Sequence, residues 1–499
     1  MGREEQIISE RLRKIKELRE QGINPYPHKF EKKDSAKELH EKYSKLKKDK
    51  TADYKAKIAG RLLTKRELGK ISFGSLQDQS GRIQIVLQEP KTPLKSRQFF
   101  KKYVDSGDFI GIEGPITKTA RGELSVLVKK IEILSKSILP LPEKWHGLQD
   151  KEERYRRRYI DLVMSPEVKN VFEKRTQITD IIRDFLKERD FLEVETPLLQ
   201  PLYGGAEAKP FITKLNALDM KLYLSISPEI YLKKLLIGGI DRVFTICKNF
   251  RNEGIDKWHN PEFTMMEIYA SYWDYNDIRK MTEKLLETLA VKITGKTKIN
   301  YQGRTIDFKA PFKFLRMDEA IKKYANLDIC DKSSLQKEAK KIGISGTDEE
   351  IIKAIFDEKV QPHLIQPTFI IDYPKAFCPL TKEHRKNPEE VERFELFVNG
   401  VELANAYSEL NDPLEQERRL QEQVEARKKS DKFEAHLEAN LVDTEFVEAM
   451  KHGMPPAGGV GIGIDRLTLL LTDSPSIRDV ILFPFMRPAE KGGKKQWLI

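Results

Sequence analysis

The 499-residue sequence predicts an α+β chain in two parts: a small N-terminal β-barrel, then a larger domain built on an antiparallel sheet flanked by helices. Three observations predict it. Between residues 56 and 135 five β-like runs, KIAGRLLTK, ISFGSLQD, GRIQIVLQ, DFIGIEGPITKT and GELSVLVKKIEIL, alternate with turn residues. From Val168 onward apolar residues recur at helical spacing. Two later β-runs flank Asn399-Gly400, a pair that tolerates the positive φ a tight hairpin turn demands.

Composition agrees and excludes several classes. A chain of this length can bury more than one core. Residues are 33% charged and 39% hydrophobic, and no apolar run reaches membrane-spanning length. The start, MGREEQIISERLRK, is no signal peptide. Cys247, Cys330 and Cys378 lie too far apart for a disulfide framework or a clustered zinc site, which predicts a reducing, cytoplasmic setting. A net charge of +11 is compatible with a polyanionic partner and common elsewhere.

Residues 1–55 read as a helical basic arm, with Ile7, Ile8, Leu12, Ile15 and Leu18 forming an apolar stripe on a helix over 3–21. RNA contact and a solvated face packed on a neighbour are equally compatible with it. Residues 56–135 follow as the barrel. A helical stretch at 95–103, between the third and fourth runs, is where an OB-fold carries its helix. Such barrels stack bases of single-stranded nucleic acid on aromatic rings and hydrogen-bond their edges. Phe73 is a candidate to stack, with Arg66, Gln84 and Glu123 to read edges; a core role is the alternative for Phe73. Residues 136–160, with Pro140 and Pro142, form a linker whose basic run, Arg154 and Arg156 to Arg158, faces RNA or solvent. Residues 161–499 make the second domain. It opens with a helix and the strand FLEVETPLL, and carries a helical insertion at about 327–365 to which no chemistry attaches.

Three stretches of that domain carry chemistry. In VFTICKNFRNEGIDKWHNPEFTMMEIY, residues 243–269, two strands flank a polar loop. Alternation puts Phe263, Met265, Glu267 and Tyr269 on one face, Thr264, Met266 and Ile268 on the other, and gives Arg251 and Glu253 a common face. A buried carboxylate on a sheet is costly unless paired or ligand-bound, so Glu267 is either the partner of Arg251 or part of a site. In the hairpin, pairing Val398 with Val401 sets Glu395 opposite Ala404 and makes Glu395 and Glu402 diagonal neighbours. Two such carboxylates suit magnesium bound with phosphates; a solvent-facing pair is the alternative. In AGGVGIGIDRLTLLLT, residues 457–472, Gly459, Gly461 and Gly463 strip one strand face, for a ligand or for close packing. Asp465 and Arg466 then start an apolar helix, from which Arg466 can reach a phosphate. Neither G-x-G-x-x-G nor a P-loop is present.

Together these stretches resemble the signature motifs of class II aminoacyl-tRNA synthetases, in that family's order: FLEVETP with Pro197, Phe250-Arg251-Asn252-Glu253 through His259 and Phe263, and GIGIDR ending at Arg466. A barrel ahead of the catalytic domain resembles subclass b. GGAEAKPF, SPEIYLKKL and ELANAYSELNDP resemble its lysyl-tRNA synthetases, a likeness running from about residue 56 to 488. The resemblance implies a ligase that activates L-lysine with ATP and Mg2+ to lysyl-adenylate, releases pyrophosphate, and transfers lysine to the 3′-terminal ribose of tRNA(Lys). It also implies a homodimer, away from any membrane.

Residue by residue, it assigns the side-chain ammonium of lysine to Glu409 and Tyr269 with Glu267 nearby, the α-amino group to Gly205 and Glu229, and the carboxylate to Arg251 and Asn405. ATP falls to Arg251, Glu253, His259, Asn260, Phe263 and Arg466, with Glu395 and Glu402 on magnesium, and catalysis to Arg251, Glu253 and Arg466. Arg66, Phe73, Gln84 and Glu123 match anticodon-reading positions. Charge logic agrees, since two ammonium groups need carboxylates whereas aspartate would need a cation. Strict alternation places Asn405 and Glu409 on the face opposite Glu402, a conflict that a bulge near Ala404 resolves. The rivals are an aspartate or asparagine synthetase, a ligase attaching lysine to protein, and an inactive RNA-binding scaffold. The barrel speaks against the second and the costly charges against the third. Cys378, where that family more often has a small residue, and the tail KGGKKQWLI depart from the pattern.

Overall fold

Burial alternates along the strand Thr51–Leu68, so that Ala56, Ile58, Gly60 and Leu62 face inward, as a barrel wall requires. In the computed structural model, which describes residues 2–142, 150–206, 208–375, 378–428 and 443–488, the chain divides into two units, Met1–Gln149 and Asp150–Ile499. In the first, Thr51–Leu68 pairs with Ile71–Gln77, and that strand with Arg82–Gln88. Arg82–Gln88 runs parallel to Leu124–Leu127, which pairs with Phe109–Lys118, and Phe109–Lys118 pairs back with Thr51–Leu68. The helix Leu94–Tyr103 lies between the third and fourth strands, as expected. The run GELSVLVKKIEIL, expected as one strand, is two: Leu124–Leu127 and Lys130–Ser135, the second pairing with the other half of Phe109–Lys118. The chain switches partners over Gly114, where a Cβ would lie 1.9 Å from the Leu127 carbonyl oxygen.

The N-terminal segment packs on this barrel. Its helices are Arg3–Glu20 and Ala36–Lys42, the latter capped by Ser35, whose hydroxyl accepts from the Glu38 N–H. Leu18, Ala36 and Leu39 join the barrel core, and buried Arg11 donates to the carbonyls of Ser106, Ser137 and Leu139. The apolar stripe is thus a packing face, although Leu12 stays exposed. The barrel's first strand begins at Thr51, inside the segment expected as arm.

The second unit is an eight-stranded sheet in the order Lys313–Arg316, Thr368–Pro374, Glu390–Val398, Val401–Ser408, Ala457–Gly463, Glu262–Ser271, Arg242–Phe250 and Leu192–Glu193. Neighbours are antiparallel except at the two edges, where the pairing is parallel. The expected strand FLEVETPLL is reduced to Leu192–Glu193 and Leu199–Gln200, since Pro197 lacks the N–H a ladder needs. One sheet face packs on the helices Pro166–Lys187, Tyr275–Thr294 and Ile464–Thr472 through Met266, Ile268, Val460, Ile462, Ala404 and Ala406. The basic run near the linker is internally engaged: buried Arg158 holds Asp161 and the carbonyls of Arg478 and Leu482, Arg154 pairs with Asp161, and Arg156 with Glu152. The insertion is helical, with Lys332–Lys341 and Asp348–Ile355 packed into a second core that they share with Met317, Ile370, Val391 and Phe397. Part of the linker (143–149) and the tail from 489 lie outside the described residues.

Candidate active site

The other face of the sheet floors a cavity of about 1390 Å³. Strand parity decides which side chains enter it. On Glu262–Ser271, Phe263, Met265, Glu267 and Tyr269 line the cavity while Met266 and Ile268 lie in the core. Next to it, Gly459 pairs with Tyr269, Gly461 with Glu267 and Gly463 with Met265. A Cβ on Gly459 would lie 2.4 Å from Tyr269 Cε1 and 2.5 Å from Glu409 Oε1. The glycine-stripped face therefore makes room for these functional side chains.

The hairpin carries the predicted irregularity. Val398 pairs with Val401 and Phe397 with Glu402, but Leu396 pairs with Ala404, leaving Leu403 unpaired as a bulge. The expected register is corrected accordingly: Glu395 faces Asn405, not Ala404. The bulge turns Glu402 to the side of Asn405, and Glu395, Glu402, Asn405 and Tyr407 all line the cavity. Glu395 accepts from the Tyr373 hydroxyl at 2.8 Å and pairs with Arg393, whose guanidinium also reaches Asn405 Oδ1 at 3.2 Å. Burial raises the Glu395 carboxyl above its usual range; Arg393 opposes this and the like charge of Glu402 adds to it.

At one end of the cavity three carboxylates converge. Glu267 accepts from Ser227 Oγ at 2.7 Å and from the Tyr269 hydroxyl at 3.2 Å. Burial, reinforced by the charge of Glu229, pushes Glu267 up to about 8. Glu409, fully buried, is pushed up to about 7 by burial, against the pull of Lys233. Lys233 Nζ lies 2.6 Å from Glu229 Oε1 and 2.5 Å from Glu409 Oε2. The second contact joins the ammonium to Oε2, whereas Glu409 Oε1 has no donor among the described residues. Gly205, at φ +81°, closes against this cluster: a Cβ there would lie 2.8 Å from that of Glu229.

Arg251, Arg466 and His259 line the cavity as well. Arg251 follows the strand Arg242–Phe250 instead of ending it, so the parity linking it to Glu253 does not apply; exposed Glu253 accepts from the Lys209 N–H at 3.3 Å. The guanidinium of Arg251 sits 5.2 Å from the Phe263 ring centroid. Its Nε is buried without a hydrogen-bond partner, and its charge pulls the Glu267 carboxyl down against the effect of burial. Arg466, in the first turn of Ile464–Thr472, donates to the Glu402 carbonyl at 2.6 Å and to His259 Nε2 at 3.0 Å. His259 therefore carries its proton on Nδ1, facing Asp256 at 2.8 Å. Asn260 is buried, with its Oδ1 lacking a donor.

Every residue expected at the catalytic site lines this cavity except Glu409, which lies just behind Gly459. Sequence reading missed Ser227, Lys233, Arg393 and Tyr407, and the insertion, whose Thr347, Lys353 and Asp357 also wall the cavity. Only Lys233 left a signal, four residues after Glu229 on the helix Glu229–Ile237. Cys378 touches Arg393, its thiol raised by burial. In the barrel, Arg66 and Phe73 are cross-strand partners; Phe73 is half-buried and outside the barrel core. Gln84, on the next strand, donates to Ser125 Oγ at 2.8 Å, and Glu123 is exposed two residues before Ser125.

Residues 150–487 match the family model of class II tRNA synthetases (D, K and N), and residues 56–134 that of the OB-fold nucleic acid binding domain. The lysine-tRNA ligase of Carboxydothermus hydrogenoformans is 49% identical, over 97% of this chain and 99% of its own length. Those of Methanoculleus marisnigri and Pelotomaculum thermopropionicum are each 47% identical, over 97% and 98% of this chain and 95% and 97% of their own.

Proposed function

Because the chain belongs to the class II tRNA synthetases, in their lysine-tRNA ligase branch, we propose that its cavity joins a subsite for lysine to one for ATP. It activates L-lysine with ATP to lysyl-adenylate and pyrophosphate, then transfers lysine to tRNA. One observation carries the assignment: Arg251, whose Nε is buried without an acceptor, and the buried carboxylates of Glu229 and Glu267 line one and the same cavity. A ligand with a carboxylate at one end and an ammonium at the other satisfies both.

Glu409 and Tyr269 hold the side-chain ammonium with Glu267 beside them, Glu229 and Gly205 the α-amino group, and Arg251 and Asn405 the carboxylate. Phe263 stacks on adenine, with Glu253, His259, Asn260 and Arg466 around the nucleotide. The lysine carboxylate attacks the α-phosphorus in line and pyrophosphate leaves. No general base is required, because the nucleophile is already ionised. Positioning and the charges of Arg251 and Arg466 lower the barrier. A ribose hydroxyl of the tRNA then attacks the adenylate.

Glu395 and Glu402 present a hard oxygen donor set that fits Mg2+ carried in with the ATP phosphates, whose charge would relieve the repulsion between them. The face of Arg66, Phe73, Gln84 and Glu123 reads the anticodon. Exposed Leu192, Leu198, Leu199, Ile212, Leu218 and Met220 support a homodimer built on that segment. The three free cysteines fit a cytoplasmic protein, and among the described residues no helix is long and apolar enough to cross a membrane.

Glu409→Gln tests the lysine subsite. Equilibrium binding is expected to lose roughly 2–5 kcal/mol for lysine, as when one partner of a buried charge pair is truncated, with ATP affinity within about twofold. Equal losses for both ligands would count against the assignment.

A further inference from the structure

The ammonium end of the cavity contains three buried carboxylates, Glu229, Glu267 and Glu409, yet lysine brings two ammonium groups. The excess is matched by a side chain that does not line the cavity. Lys233 is fully buried and its Nζ bridges Glu229 at 2.6 Å and Glu409 at 2.5 Å. It is held there from the helix Glu229–Ile237, one turn beyond Glu229. Arg251 lies over Phe263 with its charge also felt by Glu267, and it is taken up by the ligand's own carboxylate, while Arg393 pairs with Glu395.

We propose that Lys233 is a positioning and specificity-determining residue, a resident ammonium that balances one of the three carboxylates and leaves the ligand-bound pocket, its carboxyl protons expelled, two net negative charges, the complement of a diamino acid. The proposal rests on the lysine subsite above. Its consequence is a preference for ligands with two ammonium groups. A third uncompensated carboxylate would either take up a proton or draw in a further cation, and in both cases the match to lysine would be lost. Lys233 also fixes Glu409, since the bridge engages Oε2 and leaves Oε1 facing Gly459 without a donor.

A charge-balance experiment tests this on the full chain. Glu409→Gln alone leaves the pocket with Glu229, Glu267 and Lys233, one net negative charge. Adding Lys233→Met restores two; because it also takes the ammonium from Glu229, the fold of the double variant is verified by circular dichroism before binding is measured. The readouts are the Kd of L-lysine by calorimetry and the KM values for lysine and ATP in pyrophosphate exchange. The double variant is expected to bind lysine at least tenfold tighter than Glu409→Gln, with the gain in KM for lysine and none in KM for ATP. A merely structural lysine predicts the opposite, since its removal can only loosen the pocket further. Lysine affinity in the double variant equal to or weaker than in Glu409→Gln overturns the proposal. If Glu409→Gln by itself leaves lysine affinity unchanged, the subsite assignment fails instead, so the two failures are distinct.

Discussion

Raising the pH from 6 to 8 should tighten lysine binding. Glu267 is pushed up to about 8 chiefly by burial, with the charge of Glu229 adding to it. A carboxyl raised in this way is neutral below its pKa, whereas an ammonium ligand favours its charged form, so binding expels a proton and affinity climbs with pH. At pH 6 about 1% of such a group is ionised and at pH 8 about half, which makes Kd fall about 50-fold, or ~2.3 kcal/mol. At pH 7 binding should release about 0.9 proton from this group. Glu409, pushed up to about 7, contributes in the same direction. The assay is calorimetric titration of the protein with L-lysine at pH 6, 7 and 8, in two buffers of different ionisation enthalpy. A Kd constant across this range, with an enthalpy independent of buffer, would refute the reasoning.

Gly459→Ala places a methyl group 2.4 Å from Tyr269 and 2.5 Å from Glu409, so overpacking should cost roughly 1–3 kcal/mol of folding stability and weaken lysine binding by displacing both side chains; unchanged lysine affinity in calorimetry would show that the bare strand face has no such role. Phe73→Ala should weaken tRNA binding by roughly 1–3 kcal/mol, the worth of one stacked base, as measured by filter binding at fixed salt. Lysine should be preferred over ornithine by roughly 1–3 kcal/mol if packing alone discriminates one methylene, and competitive displacement measures it. Sedimentation at micromolar concentration should show a dimer, and a stable monomer would rule out the proposed interface.

The catalytic floor was legible because a sheet enforces parity. Once Glu262–Ser271 reads as a strand, Glu267 and Tyr269 must share a face with Phe263, and Gly459, Gly461 and Gly463 must lie bare beside them. Register across the hairpin was less legible. Asn399-Gly400 locates the turn, but nothing local in VELANAYSEL marks Leu403 as the bulged residue, and the conflict between Glu402 and Asn405 was what required one. Arg251 escaped the parity rule because its strand ends at Phe250. Interior contacts were harder still: Lys233 pairs with Glu409 and Arg393 hydrogen-bonds Asn405, partners remote in sequence. The approach of Lys353 and Asp357 to the cavity depends on how the insertion packs on its neighbours, which its helical pattern does not encode. In the N-terminal segment the basic excess pointed outward while the apolar stripe decided the structure, with Leu18 in the barrel core.

Amino-acid-dependent exchange of labelled pyrophosphate into ATP, with lysine, aspartate and asparagine supplied separately and magnesium present, tests the central claim most directly. Exchange with lysine alone is the predicted result, because the end of the cavity built from Glu229, Glu267 and Glu409 accepts an ammonium and repels a side-chain carboxylate. Exchange driven by aspartate or asparagine, or none with folded protein, would contradict it.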